Sequence, residues 1–245
     1  MRIIASDYDG TLNFGGIDDR KRDAIARWRK AGNLFGMVSG RMVKSIQQKT
    51  DEAQIVPDFI IADSGGTVVT REGEVLCHTV VDGKEALKLA KMMLDVNVKS
   101  VNLHADFFCL IKPEGSPLKE DEFYLSNLPL IEQTPQVTAN CANIPQALTL
   151  IDRINAEFSD TFDVLQNGRV VDVVPKGVNK ARGIYTLINH LGIPKESVIT
   201  VGDNGNDIHM LYEFNSYAMA NGSDSAKAAA KDITLGICEL IEKEL

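Results

Sequence analysis

The 245-residue chain has no CxxC pair, no long run of lysines and arginines, no apolar stretch of membrane-spanning length and no internal repeat. Its four cysteines, Cys77, Cys109, Cys141 and Cys238, are scattered. That spacing suits small buried apolar residues and supplies neither a zinc site nor a redox pair. Positive charge is in deficit, with 26 Lys and Arg against 34 Asp and Glu for a formal net charge of -8. This balance argues against broad contact with nucleic-acid backbone or an anionic membrane. The first residues carry a single arginine and too few apolar positions for a secretion signal, so the expected location is the cytoplasm. The length suits one large domain, or a core domain carrying a smaller one.

What the chain does have, at both ends, is strand-like runs alternating with helical patterns. RIIASD (2–7) reads as a buried strand, DDRKRDAIARWRKAG (18–32) as a helix, NLFGMVSGR (33–41) as strand then turn, and MVKSIQQKT (42–50) as a helix. DFIIADSGG (58–66) reads as a strand, followed by a hairpin through TVVTREGEVLCH (67–78). Toward the other end come the helix NKARGIYTLINHLGI, the strand SVITVGD, the helix NDIHMLYEF, the strand SYAMANG and a last helix DSAKAAAKD (224–232). This order predicts an α/β fold, a Rossmann-like parallel sheet with helices on both faces. The middle differs: KEALKLAKMML and PQALTLIDRINAEF read as amphipathic helices, VKSVNLHADFFCLIKPEG (98–115) as strand-rich, and FDVLQNGRVVDVVP as a hairpin turning at Asn167-Gly168. The expected organisation is a core formed by residues 1–81 and 178–245 with a smaller α+β domain, 82–177, inserted as a cap.

Four short stretches follow core strands or open the next helix: DYDGT (7–11), VSGR (38–41), GVNKARG (177–183) and GDNGND (202–207). In a parallel sheet such ends converge on one pocket. Asp7 and Asp9, two apart on extended chain, project to one side. Like charges that close call for a cation between them or a retained proton. Ser39 offers a hydroxyl, and the backbone N–H groups after it, starting with Gly40, open a helix that suits an anion. Lys180 lies in a first helical turn, where the helix dipole does not favour a cation. Asp203 and Asp207 offer oxygen to a hard cation such as Mg²⁺. Taken singly, each stretch also reads as an ordinary capping turn or a solvated side chain.

Together the four resemble the haloacid dehalogenase superfamily, and most closely its Cof-type subgroup, whose pattern runs DxDGT, S/T-G-R, a lysine before a helix, then GDxxND. The tail AMANGSDSAKAAAKDIT is similar to the family's final strand and helix. The resemblance implies a Mg²⁺-dependent phosphatase of small phosphorylated metabolites such as sugar phosphates or phosphoglycolate. It implies Asp7 as nucleophile, Asp9 as acid and base, and Ser39, Gly40, Lys180 and Asn206 around the phosphate. The metal would be held by Asp7, Asp203 and the Asp9 carbonyl, with Asp207 in its outer shell. Lys176 is the rival for the lysine role. Substrate choice would fall to the cap, where His104, Lys112 and Arg169 are within the expected elements. Two departures stand out: Ser64-Gly65-Gly66 replaces the usual Asn-Gly-Ala, and the cap is short. A phosphomutase or phosphotransferase is the alternative within the superfamily. A phosphoaspartate signalling module is disfavoured, because a second carboxyl at Asp9 would hasten loss of the phosphoryl group.

Overall fold

The computed structural model describes residues 1–105 and 108–245; Asp106 and Phe107, inside the strand-rich stretch expected over 98–115, lie outside the described residues. The chain separates into two compact units, Met1–Cys77 with Asn179–Leu245, and His78–Val178.

The first unit is built on an eight-stranded sheet. Its spatial order is Asp232–Thr234, Asn215–Met219, Val198–Gly202, Ile3–Ser6, Leu34–Val38, Phe59–Ala62, Thr67–Thr70 and Val75–His78. The first six strands run parallel, and Thr67–Thr70 turns back against Phe59–Ala62. Because successive side chains of a strand point to opposite faces, apolar runs such as IIAS and FIIA serve two cores at once. Ile4, Phe35, Met37, Ile60, Ala62, Ile199 and Val201 bury against one set of helices, with Trp28 and Ile46. Ile3, Ala5, Val38, Phe59, Ile61 and Val198 bury on the other side, with Ile184, Leu187 and Ile188. The result is the doubly covered Rossmann-like sheet expected from the alternation of elements.

One expectation needs correction. The helix over 224–232 is shorter, Asp224–Ala229, and it is not the last. A parallel edge strand, Asp232–Thr234, follows it, and then a helix, Ile237–Glu244. Ile237, Leu240 and Ile241, at helical spacing, join the cluster around Trp28. That spacing was readable in the tail but is only one turn long, too little to separate a helix from a loop by pattern.

In the second unit, a six-stranded sheet runs in the order Phe162–Asn167, Val170–Pro175, Val137–Asn140, Ser100–His104, Phe108–Ile111, Glu122–Phe123. Helices Gly83–Asp95 and Ile144–Phe158 supply Leu89, Met93, Leu150 and Ile154 to one apolar cluster with Val101, Leu103, Ile111, Val137, Val171 and Val173 of the strands. The pleat sends Thr138 and Asp172, paired in register, to the opposite face. There the Thr138 hydroxyl donates to Asp172 Oδ1 at 2.7 Å and Gln136 Nε2 to the same oxygen at 3.0 Å. Cys109 and Cys141 are buried, and burial raises both thiols, Cys109 to about 11. They behave as apolar filling. Among the described residues, no helix is long and apolar enough to cross a membrane.

Candidate active site

Asp7, Ser39, Asp63 and Asp203 each come directly after a parallel strand, and the four strands are neighbours in the sheet. All four residues therefore leave the same end of the sheet, the end where open α/β sheets place ligands.

Asp7 is anchored by its own backbone, whose N–H donates to Val201 O at 2.9 Å. Its side chain is almost wholly buried. The chain then turns sharply through Gly10, at φ +80. A Cβ there would sit 2.5 Å from Asp203 Oδ2, so the glycine is required both by its backbone angle and by the closeness of the second acidic loop. Thr11, the last residue of DYDGT, donates its hydroxyl to Asp203 Oδ1 at 2.9 Å. The two acidic motifs, nearly two hundred residues apart, are thereby joined directly.

Lys180 opens the helix Lys180–Leu191, which is capped by the Asn179 side chain accepting from Arg182 N at 3.0 Å. This cap fixes the helix start, and with it the root of a fully buried lysine. Lys180 Nζ donates to Asp7 Oδ1 at 2.6 Å and to Asp207 Oδ1 at 2.5 Å. The other Asp207 oxygen accepts from the backbone N–H groups of Asp203 and Asn204, at 2.9 and 3.0 Å. Asp207 is thus committed on both oxygens, holding the GDNGND loop and aiming the lysine. Lys176, the rival by sequence, instead pairs with Asp163 at 2.8 Å.

One carboxylate oxygen each from Asp7, Asp203 and Asp207 lies within 4.8 Å of the others. Burial raises the Asp7 carboxyl well above the ordinary range; Lys180 opposes this, while Asp207 and Asp203 add to it. Burial, reinforced by Asp207, also raises Asp203. For Lys180, burial acts to lower the affinity for its proton, but Asp207 and Asp7 outweigh it and push the group above its usual value. Three carboxylates face one ammonium. The surplus of negative charge, on oxygen donors alone, suits a hard divalent cation. With Asp207 occupied, Asp7 and Asp203 are the carboxylates that could hold one.

Asp9 is placed differently. Its carboxylate is gripped at both oxygens by Arg41, Nε at 2.6 Å and Nη2 at 2.9 Å, and about half of the side chain is exposed. Arg41 belongs to VSGR but was not singled out from sequence; its role emerges only when two loops meet. Asp9 raises the affinity of the Arg41 guanidinium for its proton, first through these hydrogen bonds. Ser39 is buried, its Oγ accepting from Arg41 N at 3.2 Å. Gly40 is half-buried and Asn206 is buried within the GDNGND turn. The three inserted-unit residues considered from sequence have structural neighbours: His104 is buried, Lys112 lies 3.8 Å from Glu122, and Arg169 Nη1 donates to Cys141 O at 2.9 Å.

Comparison with known proteins follows the same lines. The family model of the haloacid dehalogenase-like hydrolases matches residues 4–239. The 5-amino-6-(5-phospho-D-ribitylamino)uracil phosphatase YitU of Bacillus subtilis is 32% identical over 95% of this chain and 91% of its own length. A haloacid dehalogenase-like hydrolase structure from B. subtilis superposes with a TM-score of 0.85 at 17% identity, covering 100% of both chains. The sugar phosphatase BT4131 does so with a TM-score of 0.80 at 20% identity, over 100% of this chain and 99% of that one.

Proposed function

The chain belongs to the haloacid dehalogenase-like hydrolases, and from that premise we propose that it is a Mg²⁺-dependent phosphatase of small phosphorylated metabolites, working through an aspartyl phosphate on Asp7. The observation that carries this reading is the buried Asp7–Lys180–Asp207 bridge beside Asp203. A buried carboxylate with one oxygen tied to an ammonium is held in place to attack with the other.

In the first step an Asp7 oxygen bonds to phosphorus as the ester P–O bond breaks, and the leaving oxygen takes a proton from the Asp9 carboxyl. In the second step the Asp9 carboxylate takes a proton from water, whose oxygen bonds to phosphorus and releases inorganic phosphate, restoring Asp7. Asp9 gives up a hydrogen bond from Arg41 when it holds the proton. Lys180 and Ser39 stabilise charge on the phosphoryl oxygens. Mg²⁺, held by Asp7, Asp203 and the Asp9 carbonyl, would offset the repulsion between the carboxylates and a phosphate dianion. Asn206 is assigned to the phosphate side of the same loop.

The substrate class is a sugar or polyol phosphate, or phosphoglycolate. The ribityl phosphate in the name of the B. subtilis relative supports the first kind. The test is a screen of phosphorylated metabolites, including an activated aryl phosphate, with and without Mg²⁺, alongside Asp7→Asn. Phosphate release that needs Mg²⁺ and is lost in the variant supports the reading; no release by the wild type from any compound refutes it.

A further inference from the structure

Lys21 makes a set of contacts that the catalytic reading above does not use. Its Nζ donates to three backbone carbonyls, Leu12 O at 2.9 Å, Phe14 O at 2.6 Å and Gly16 O at 2.6 Å. An ammonium has three protons to donate and no lone pair, so these carbonyls, at alternate positions of one loop, use it completely. The loop curls around the ammonium because Gly15 and Gly16, at φ +71 and +83, lie in the left-handed region. Lys21 is half-buried in the first turn of the helix Asp19–Lys30, where the helix dipole opposes a cation. Burial loosens the hold of the ammonium on its proton, and the Asp18 carboxylate acts against that. Carbonyl oxygens, the negative ends of three peptide dipoles, are what hold a cation there.

The loop continues directly from the acidic turn. Leu12 N donates to Asp7 O at 3.3 Å and Asn13 N to Tyr8 O at 2.9 Å, so DYDGT forms one wide turn that begins at Asp7 and closes at Leu12 and Asn13. Asp9 and Gly10, inside it, have non-helical backbone angles, and Thr11 reaches from it to Asp203 Oδ1. The strand Ile3–Ser6, paired on both sides, holds the beginning of this turn. Lys21 holds its end. The root of the lysine is fixed in its own right, because the Asp18 side chain caps the helix by accepting from Lys21 N at 3.1 Å. Two capped helices thus anchor two lysines to the same acidic turn, Lys180 at Asp7 and Lys21 at Leu12.

We propose that Lys21 is a positioning residue: a tethered cation in a carbonyl cradle that fixes the closing end of the DYDGT turn and, through Thr11, the Asp203 carboxylate expected to hold Mg²⁺. The role given to Asp203 rests on the phosphatase reading. The cradle itself is a site for a monovalent cation, filled by the chain's own ammonium. With that side chain cut back, an ammonium ion from solution can take its place, since it offers the carbonyls the same donors.

Lys21→Met, which keeps the apolar stem, and Lys21→Ala, which empties the cradle, would be compared with the wild type in ammonium chloride and in choline chloride at equal ionic strength. Mg²⁺ affinity is read by isothermal titration calorimetry, and kcat and KM on the best phosphomonoester. In choline chloride both variants are expected to bind Mg²⁺ about tenfold more weakly and to lose about tenfold in kcat, with KM within about twofold. Ammonium should restore Lys21→Ala toward the wild type and leave the wild type unchanged. Variants that keep Mg²⁺ affinity and kcat within about twofold make Lys21 a surface staple, and the inference falls alone. A defect in Lys21→Ala that ammonium does not repair, or one confined to KM, also overturns it. A wild type that binds Mg²⁺ yet hydrolyses nothing removes the phosphatase reading, while calorimetry still decides the role of Lys21. A wild type that binds no Mg²⁺ removes both.

Discussion

A buried cluster around Asp172 in one unit and another around Asp7 and Asp207 in the other are built for different ends. In the inserted unit, Asp172 Oδ1 accepts from a threonine hydroxyl and a glutamine amide brought together by strand register. In the core, Asp7 and Asp207 share a lysine, and Asp203 adds a third carboxylate within 4.8 Å. The first cluster arises from local pairing and neutral donors and fixes one sheet register. The second assembles charges from sequence positions 173 and 27 residues apart. It holds more negative charge than its own ammonium balances. A carboxylate held by neighbouring hydrogen-bond donors specifies structure, whereas a cluster left charge-heavy awaits a ligand.

Substitutions can break this contrast. Asp7→Asn should cost the most, at least about 10³-fold in kcat, while leaving metal-free stability equal or higher, because it removes a carboxyl whose charged form burial disfavours. Steady-state kinetics and thermal melting on one sample check both halves. Lys180→Met should lower kcat by about 10²-fold or more and, unlike Asp7→Asn, destabilise by about 3–5 kcal/mol, since two buried carboxylates lose their cation. Asp172→Ala should leave kcat/KM within about twofold yet cost about 1–3 kcal/mol, because it strands the donors of Thr138 and Gln136. For a chain of this size each kcal/mol is about 2–4 °C in Tm.

Two smaller effects sharpen the comparison. Gly10→Ala should weaken Mg²⁺ activation by about tenfold, read as the Mg²⁺ concentration at half-maximal rate, because the added Cβ displaces Asp203. The pH dependence follows from the raised Asp7 and Asp203. A carboxyl whose folded pKa is raised contributes stability below its unfolded value near 3.8, and loses it as pH climbs through the folded value. Metal-free protein should therefore melt lower as pH rises from the acid side toward neutrality. The raised Lys180 keeps its contribution across that window and loses it only in strongly alkaline solution. Added Mg²⁺, or Asp203→Asn, should flatten the slope, which differential scanning calorimetry would register.

Asp7, Ser39, Lys180 and Asp203 were legible in the sequence because each follows or precedes an apolar run whose period announces its element. Lys180 was preferred to Lys176 by its match to the family's lysine before a helix; the physical reason, the Asn179 cap that fixes where that helix starts, is seen only in the structure. Arg41 on Asp9 and Thr11 on Asp203 were not legible, since each contact joins loops that meet only through the sheet order. Lys21 was legible only as part of a helix, because the three carbonyls around its ammonium belong to a loop with no pattern of its own.

The placement of Ile3–Ser6 also governs how the molecule is made. That strand pairs with Leu34–Val38 on one side and with Val198–Gly202 on the other. The second neighbour leaves the ribosome 195 residues later, about 10–40 s at ordinary rates of synthesis. For that interval the strand leading to Asp7 is an open edge, able to template pairing with other chains. The strand that ends at Asp7 is thus also a vulnerable edge during biogenesis, and faster completion of the last third should raise the yield of native protein.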